Sequence, residues 1–118
     1  MADAALFIGW GSAVRGRERK SLDVFGEAVG YYTELQQKGE IEDFETVFLE
    51  PHGGDLAGFF LVRGEREALA RLRVSEEFQR LNGRALLIVE GFGVVGATIG
   101  AGVQELIGNY QAAIEELT

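Results

Sequence analysis

The chain contains no cysteine, which removes disulfides and thiolate metal sites and suits a reducing compartment. It has a single histidine, too few for an imidazole metal cluster. No apolar run approaches the ~18 residues that a membrane span needs. The opening Met1-Ala2-Asp3-Ala4-Ala5 carries an acid and no basic region, which reads against a signal peptide and makes the cytoplasm the expected location. Cations are scarce as well, with eleven basic residues against nineteen acidic ones and a net charge of −8. That balance argues against general binding to nucleic acid or to an anionic membrane, because both need a basic face.

A length of 118 residues is near the common size of one domain, expected here over 1–118. Such a chain buries roughly two thirds of the surface its unfolded form exposes, enough for a core without staples. Glycine is in excess at seventeen residues, about twice average usage. These glycines fall at turns, helix ends and one C-terminal run rather than in a low-complexity tract.

Ala5 to Gly11 is short and almost wholly apolar, the mark of a buried central strand. A basic turn follows, with Arg15, Arg17, Arg19 and Lys20. Leu22, Phe25, Val29, Tyr32 and Leu35 then recur at helical spacing, and Lys38-Gly39 forms a stop. Ile41 to Glu50 is the second strand, with acids throughout, as suits a sheet edge. Pro51-His52-Gly53-Gly54-Asp55 reads as a tight turn, and Leu56 to Val62 as a central returning strand. A second helix starts at Glu65 and breaks at Val74-Ser75, where Ser75 followed by Glu76 and Glu77 resembles a new N-cap. Asn82-Gly83 is expected to end that piece, Ala85 to Gly91 to form the fourth strand, and Val103, Leu106, Ile107, Tyr110, Ile114 and Leu117 to stripe a last helix.

The order β-α-β-β-α-β predicts an α+β, ferredoxin-like sandwich. Right-handed crossovers give an antiparallel sheet of order 4-1-3-2 with strands one and three central. On this order, the glycine-containing hairpin, the broken second helix at Leu72–Phe78 and the added C-terminal segment, the chain resembles the dimeric α+β barrel superfamily over about residues 5–94. The resemblance implies two sheets facing each other across a homodimer, helices outside, and a pocket between sheet and helices or inside the barrel. It also implies a range of activities that includes cofactor-free monooxygenases, haem-degrading enzymes, isomerases, stress-related proteins and ligand-sensing domains. Function does not transfer from such a fold.

Several residues are candidates for chemistry. Gly91-Phe92-Gly93-Val94-Val95-Gly96 reads G-x-G-x-x-G after a strand and before a helix, yet no βαβ unit or ribose-holding acid follows, so it reads as a glycine-rich turn. His52 is the natural acid–base group, against the plainer reading of a solvated hairpin histidine. Arg15, Arg17, His52 and Arg84 are expected around one rim, as an anion-attracting mouth or as intersubunit partners. Glu90 alternates with Leu86 and Ile88, and a carboxylate under packed helices is costly. These three are therefore placed with Phe48 on the face away from the helices, where Glu90 becomes a candidate proton carrier. The expected pocket lies between that face and the C-terminal segment, lined by Trp10, Phe48, Phe59 and Glu90, with His52 at its mouth. No Ser-His-Asp or Cys-His set is readable. No cofactor and no metal are expected. The functional expectation is a homodimer holding a small hydrophobic molecule, either as a cofactor-free monooxygenase- or isomerase-like enzyme or as a non-catalytic binding or stress-related module.

Overall fold

The computed structural model describes residues 2–118. In chain order the elements are β1 (Ala4–Trp10), α1 (Glu18–Gln37), β2 (Asp43–Phe48), β3 (Gly58–Gly64), α2 (Arg66–Val74), α3 (Glu76–Leu86), β4 (Gly93–Thr98) and α4 (Ala101–Glu116). The four strands form one antiparallel sheet of order β2-β3-β1-β4. This is the 4-1-3-2 order expected from the segment sequence, with the acidic second strand at an edge. The fold is α+β and ferredoxin-like.

Strand register assigns the faces. Leu6 stands opposite Val62 and Ile8 opposite Phe60, while Val62 stands opposite Phe44 and Phe60 opposite Thr46. Leu6, Ile8, Trp10, Phe60 and Val62 therefore share one face. Tyr32 and Leu35 of α1, Leu69 and Leu72 of α2, and Phe78 and Leu81 of α3 pack onto that face as a single core. Each fully buried side chain of this kind contributes about 1.5–3 kcal/mol. The opposite face carries Phe7, Val47, Phe59, Leu61 and Val95, with the Phe7 and Phe59 rings 4.7 Å apart. Its polar feature is Arg63, bonded to Asp43 at 3.1 Å and to Glu45 at 2.6 Å.

Local chemistry sets the helix ends. Gly39 takes φ +76° after Lys38, and the Gly39 and Glu40 N–H groups donate to the Gln36 and Leu35 carbonyls, satisfying the last turn of α1 as a Schellman pair does. Ser75 is extended, and its Oγ accepts from the Phe78 N–H at 3.3 Å, so the expected break and new cap are both present.

Three expectations are corrected. Asn82-Gly83 does not end α3, which runs on to Leu86. The fourth strand is Gly93–Thr98 rather than 85–91. The hairpin is not tight, because nine residues, 49–57, separate β2 from β3. The apolar run at 85–91 is divided by hydrogen bonding. The N–H groups of Leu87, Ile88 and Val89 bond back to the Arg84 and Ala85 carbonyls and finish the helix. The following stretch then lies beside residues 11–14, through Gly11 N–H to Glu90 O at 2.7 Å, Glu90 N–H to Ser12 O and Val14 N–H to Ile88 O, both at 2.8 Å. The edge of β1 is left for the glycine-rich segment, whose Gly93 and Gly96 stand opposite Gly9 and Leu6. The G-x-G-x-x-G stretch is thus largely strand, not a turn at a helix start.

Close approach of the last helix occurs instead at Gly102, where a Cβ would lie 2.8 Å from Thr98 Cγ2 and 3.0 Å from Asp3 O. Gly102 is the one buried residue of α4. Beyond it Val103, Leu106, Ile107, Tyr110, Ile114 and Leu117 are all exposed. Among the described residues, no helix is long and apolar enough to cross a membrane.

Candidate functional site

Three loops meet at the end of the sheet where β1 terminates. Gly11 sits at their junction, with Asp55 O and Glu90 O each 2.8 Å from where a Cβ would stand. This is the convergence of the first β-α loop, the β2–β3 loop and the loop before β4 that the topology implied. Above it, between the sheet and helices α1 and α3, lies a cavity of about 160 Å³. Its walls are Ile8 and Trp10 of β1, Phe60 of β3, Leu22, Phe25 and Tyr32 of α1, Leu81 and Ala85 of α3, and Ile88, Val89 and Phe92 of the loop, with Phe48 at the sheet edge.

The walls form an aromatic box. The Trp10 ring lies 5.1 Å from Phe60, 5.9 Å from Phe48 and 6.1 Å from Phe25, the latter two edge-on, while Phe25 and Phe60 stack at 5.5 Å. Offset and edge-to-face pairs of this kind add about 0.5–1.5 kcal/mol each beyond the area they bury. Polar groups are few: Ser21, Asn82 and the Tyr32 phenol. Ser21 Oγ donates to Glu18 O at 2.6 Å and is committed to the helix. Tyr32 is almost wholly buried, and burial pushes its phenol well above the ordinary value of 10.0, with the neighbouring Tyr31 adding to the rise. It is therefore an uncharged hydroxyl at neutral pH. The lining is thus apolar, with Ser21, Asn82 and Tyr32 as its polar residues.

Several expectations about the site are corrected here. This cavity lies on the helical side of the sheet, whereas the pocket expected from the sequence falls between the open face and the C-terminal segment. Trp10 and Phe48 line it, but both project toward the helices. Phe59 points the other way, because Phe59 stands opposite Val47 while Phe48 stands opposite Gly58. Glu90 is exposed and lies in the loop before β4 rather than in a strand, so alternation does not drive it into an apolar environment. Ile88 is buried, and Leu86 is exposed at the end of α3. His52 does not reach the cavity. Its ring braces its own loop, with Gly54 N–H donating to Nδ1 at 3.2 Å and Nε2 lying 2.8 Å from Leu56 O. Accepting at Nδ1 leaves the proton on Nε2, which donates to the Leu56 carbonyl. Arg84 is drawn out of the rim into an ion pair with Glu27 at 2.6 Å, linking α3 to α1. Arg15 remains exposed in the turn before α1.

Reading Trp10 with the open face overlooked Phe25, Tyr32, Phe60 and Phe92. Strand parity held a signal for them: Leu6, Ile8 and Trp10 share one parity in β1, and Phe60 and Val62 share one in β3, so the larger buried set faces the helices. Phe25 and Tyr32 belong to the α1 stripe that packs there.

No protein-family model matches the chain, and no curated protein matches it in sequence. Solved structures do. A dimeric ferredoxin-like protein of unknown function from Jannaschia sp. CCS1 superposes with a TM-score of 0.61 at 14% identity, covering 83% of this chain and 98% of that one. A dimeric protein of unknown function and ferredoxin-like fold from Bacteroides fragilis NCTC 9343 gives 0.58 at 11% identity, covering 81% and 96%. SnoaB from Streptomyces nogalater, described as a cofactor-independent oxygenase, gives 0.53 at 13% identity, covering 85% and 94%. At these identities the likeness is one of fold, and it bears out the ferredoxin-like architecture read from the segment order.

Proposed function

We propose that this chain is one domain of a homodimeric, cytoplasmic small-molecule-binding protein that holds an apolar molecule between its sheet and helices. The observation that carries the reading is the aromatic cavity of about 160 Å³ walled by Trp10, Phe25, Phe60 and Phe92. The hollow opens to solvent beside Leu22. Its lining is the most apolar and aromatic of the hollows among the described residues, as small-molecule sites are. No carboxylate, imidazole or amine lines it. An isomerase needs a positioned base, so binding is favoured over acid–base catalysis, and the Glu90 and His52 roles are not retained.

The homodimer is supported by two apolar surfaces, the open sheet face and the α4 stripe. Val95 on the open face and Val103, Leu106, Ile107, Tyr110 and Ile114 on α4 are exposed, and exposed apolar surface is a common mark of interfaces. Two of the structurally similar proteins are described as dimeric. A second reading, cofactor-free oxygenation, is favoured by the likeness to SnoaB. Native mass spectrometry of freshly purified protein tests the first reading: a retained small molecule that Ala85→Phe expels supports it, and clean apoprotein whose Trp10 emission ignores every apolar probe refutes it. Oxygen uptake driven by the retained molecule would select the second.

A further inference from the structure

We infer that the cavity takes an amphipathic anion, an apolar carboxylate whose body lies against Trp10, Phe25 and Phe60 and whose charge stays at the mouth beside the turn Arg15–Lys20; the inference rests on the cavity reading above. Residues 15–20 are Arg, Gly, Arg, Glu, Arg and Lys, four cations and one acid, for a local charge of +3. The whole chain carries −8, so the remaining residues sum to −11. Among the described residues, Lys38, Arg63, Arg80 and Arg84 are ion-paired, whereas Arg15, Arg17, Arg19 and Lys20 join no ion pair. Neither do Arg66, Arg71 and Arg73, but those three lie on α2 and do not flank the cavity lining. Glu18, the acid among them, is occupied by the Gly16 N–H at 3.0 Å.

The position of this cluster matters as much as its sign. Ala13 on one side of the turn and Ser21 and Leu22 on the other all line the cavity. The Arg17 carbonyl accepts the Ser21 N–H at 2.9 Å, which fixes the turn one helical step from the wall. Leu22 lines the cavity yet is 71% exposed, so the mouth opens there. Cations at a helix N-terminus oppose the helix dipole, so helix stability does not account for them. A carboxylate inside the aromatic box would lose its hydration without a partner. At the mouth it keeps water, and exposed charges attract one another over a Debye length of about 8–10 Å. Acids border the cavity as well: Asp23 follows Leu22 on α1, and the backbones of Asp55 and Glu90 meet at Gly11. The cations of residues 15–20 therefore face a partly acidic rim from the side of Ala13 and Ser21.

The test uses the full chain and its single tryptophan, which lines the cavity. Cyclohexanecarboxylate and the neutral cyclohexanecarboxamide are titrated at low ionic strength with Trp10 emission as the readout. The carboxylate is expected to bind about tenfold more tightly, and high salt should erase the preference. The double variant Arg15→Gln, Arg17→Gln should lose the preference while binding the carboxamide as the parent does. Equal affinity for both probes in the parent overturns the inference and leaves the cavity reading intact. A preference that survives the double variant overturns the assignment to this turn. Failure of both probes to alter Trp10 emission removes the cavity reading and this inference with it.

Discussion

Replacing Gly11 by alanine places a methyl group where three loops meet. Its Cβ would stand 2.8 Å from Asp55 O and 2.8 Å from Glu90 O. Both obstacles are backbone atoms, so neither can rotate away, and an ordinary contact would need more than half an ångström on each side. Forced overpacking costs about 1–3 kcal/mol. Displacing the loop before β4 also strains the 2.7 Å bond from Gly11 N–H to Glu90 O, worth about 0.5–1.5 kcal/mol. Together these give a loss of about 1.5–4.5 kcal/mol, or about 6–18 °C in Tm at this chain length. The same chemical change at Gly83 has the opposite sign, because nothing lies within 4 Å of that Cβ and glycine inside a helix is worse than alanine by about 0.5–1 kcal/mol. Urea unfolding followed by circular dichroism, with Trp10 emission recorded in parallel, measures both. A Gly11→Ala protein as stable as the parent, or a Gly83→Ala protein that loses stability, would refute the reasoning from backbone proximity.

Other outcomes follow from the same structure. Tyr32 has a folded-state pKa raised above its ordinary 10.0, so the native state holds that proton more tightly; stability is full below pH 10 and falls as the pH rises beyond it. Urea midpoints measured from neutral to strongly alkaline pH should show a shallower alkaline loss in Tyr32→Phe than in the parent. The exposed pair of Arg84 and Glu27 should contribute about 0.2–1 kcal/mol in a double-mutant cycle, and less at high salt. Phe59→Asp, or Ile107→Glu on α4, should convert dimer to monomer by sedimentation velocity at micromolar concentration while leaving far-ultraviolet dichroism unchanged; an unaltered sedimentation coefficient in both would remove these surfaces from the interface.

Sequence order carried the topology because each segment's local chemistry agreed with its place. Apolar Ala5–Gly11 went to the centre, acidic 41–50 to an edge, and Ser75 capped the broken helix. The candidate site was less legible, and the cause lies at the fourth strand. Ala85–Gly91 holds Leu86, Leu87, Ile88 and Val89, strong apolar residues that read as a strand. The true strand is Gly-Val-Val-Gly-Ala-Thr, weak in intrinsic preference, and it is extended because the free edge of β1 supplies its hydrogen bonds. With the strand misplaced, Glu90 acquired an alternation it does not have. The long β2–β3 loop did the rest, since hairpin register is fixed by loop length. A loop of nine residues puts Phe48 opposite Gly58 and so separates Phe48 and Phe59 onto different faces.

The two faces differ in chemical character. The face toward the helices carries the core, and beside Leu22 and Phe48 it leaves the hollow lined by Trp10, Phe25 and Phe60. The other face has Phe7 and Phe59 in contact at 4.7 Å and the Arg63 ion pairs beside them. If a second copy covers it, those ion pairs lose water, and an unpaired charge there would be costly. Arg63 is instead held by two carboxylates, and its guanidinium pKa is raised first by the Glu45 hydrogen bond and then by that of Asp43. A pre-formed network of this kind tolerates burial better than a lone arginine and penalises registers that pull it apart. On the proposed dimer, the open face would carry both apolar area for association and a polar group that discriminates among ways of associating. On the reading proposed above, the ligand sits on the helical side, where neither requirement interferes.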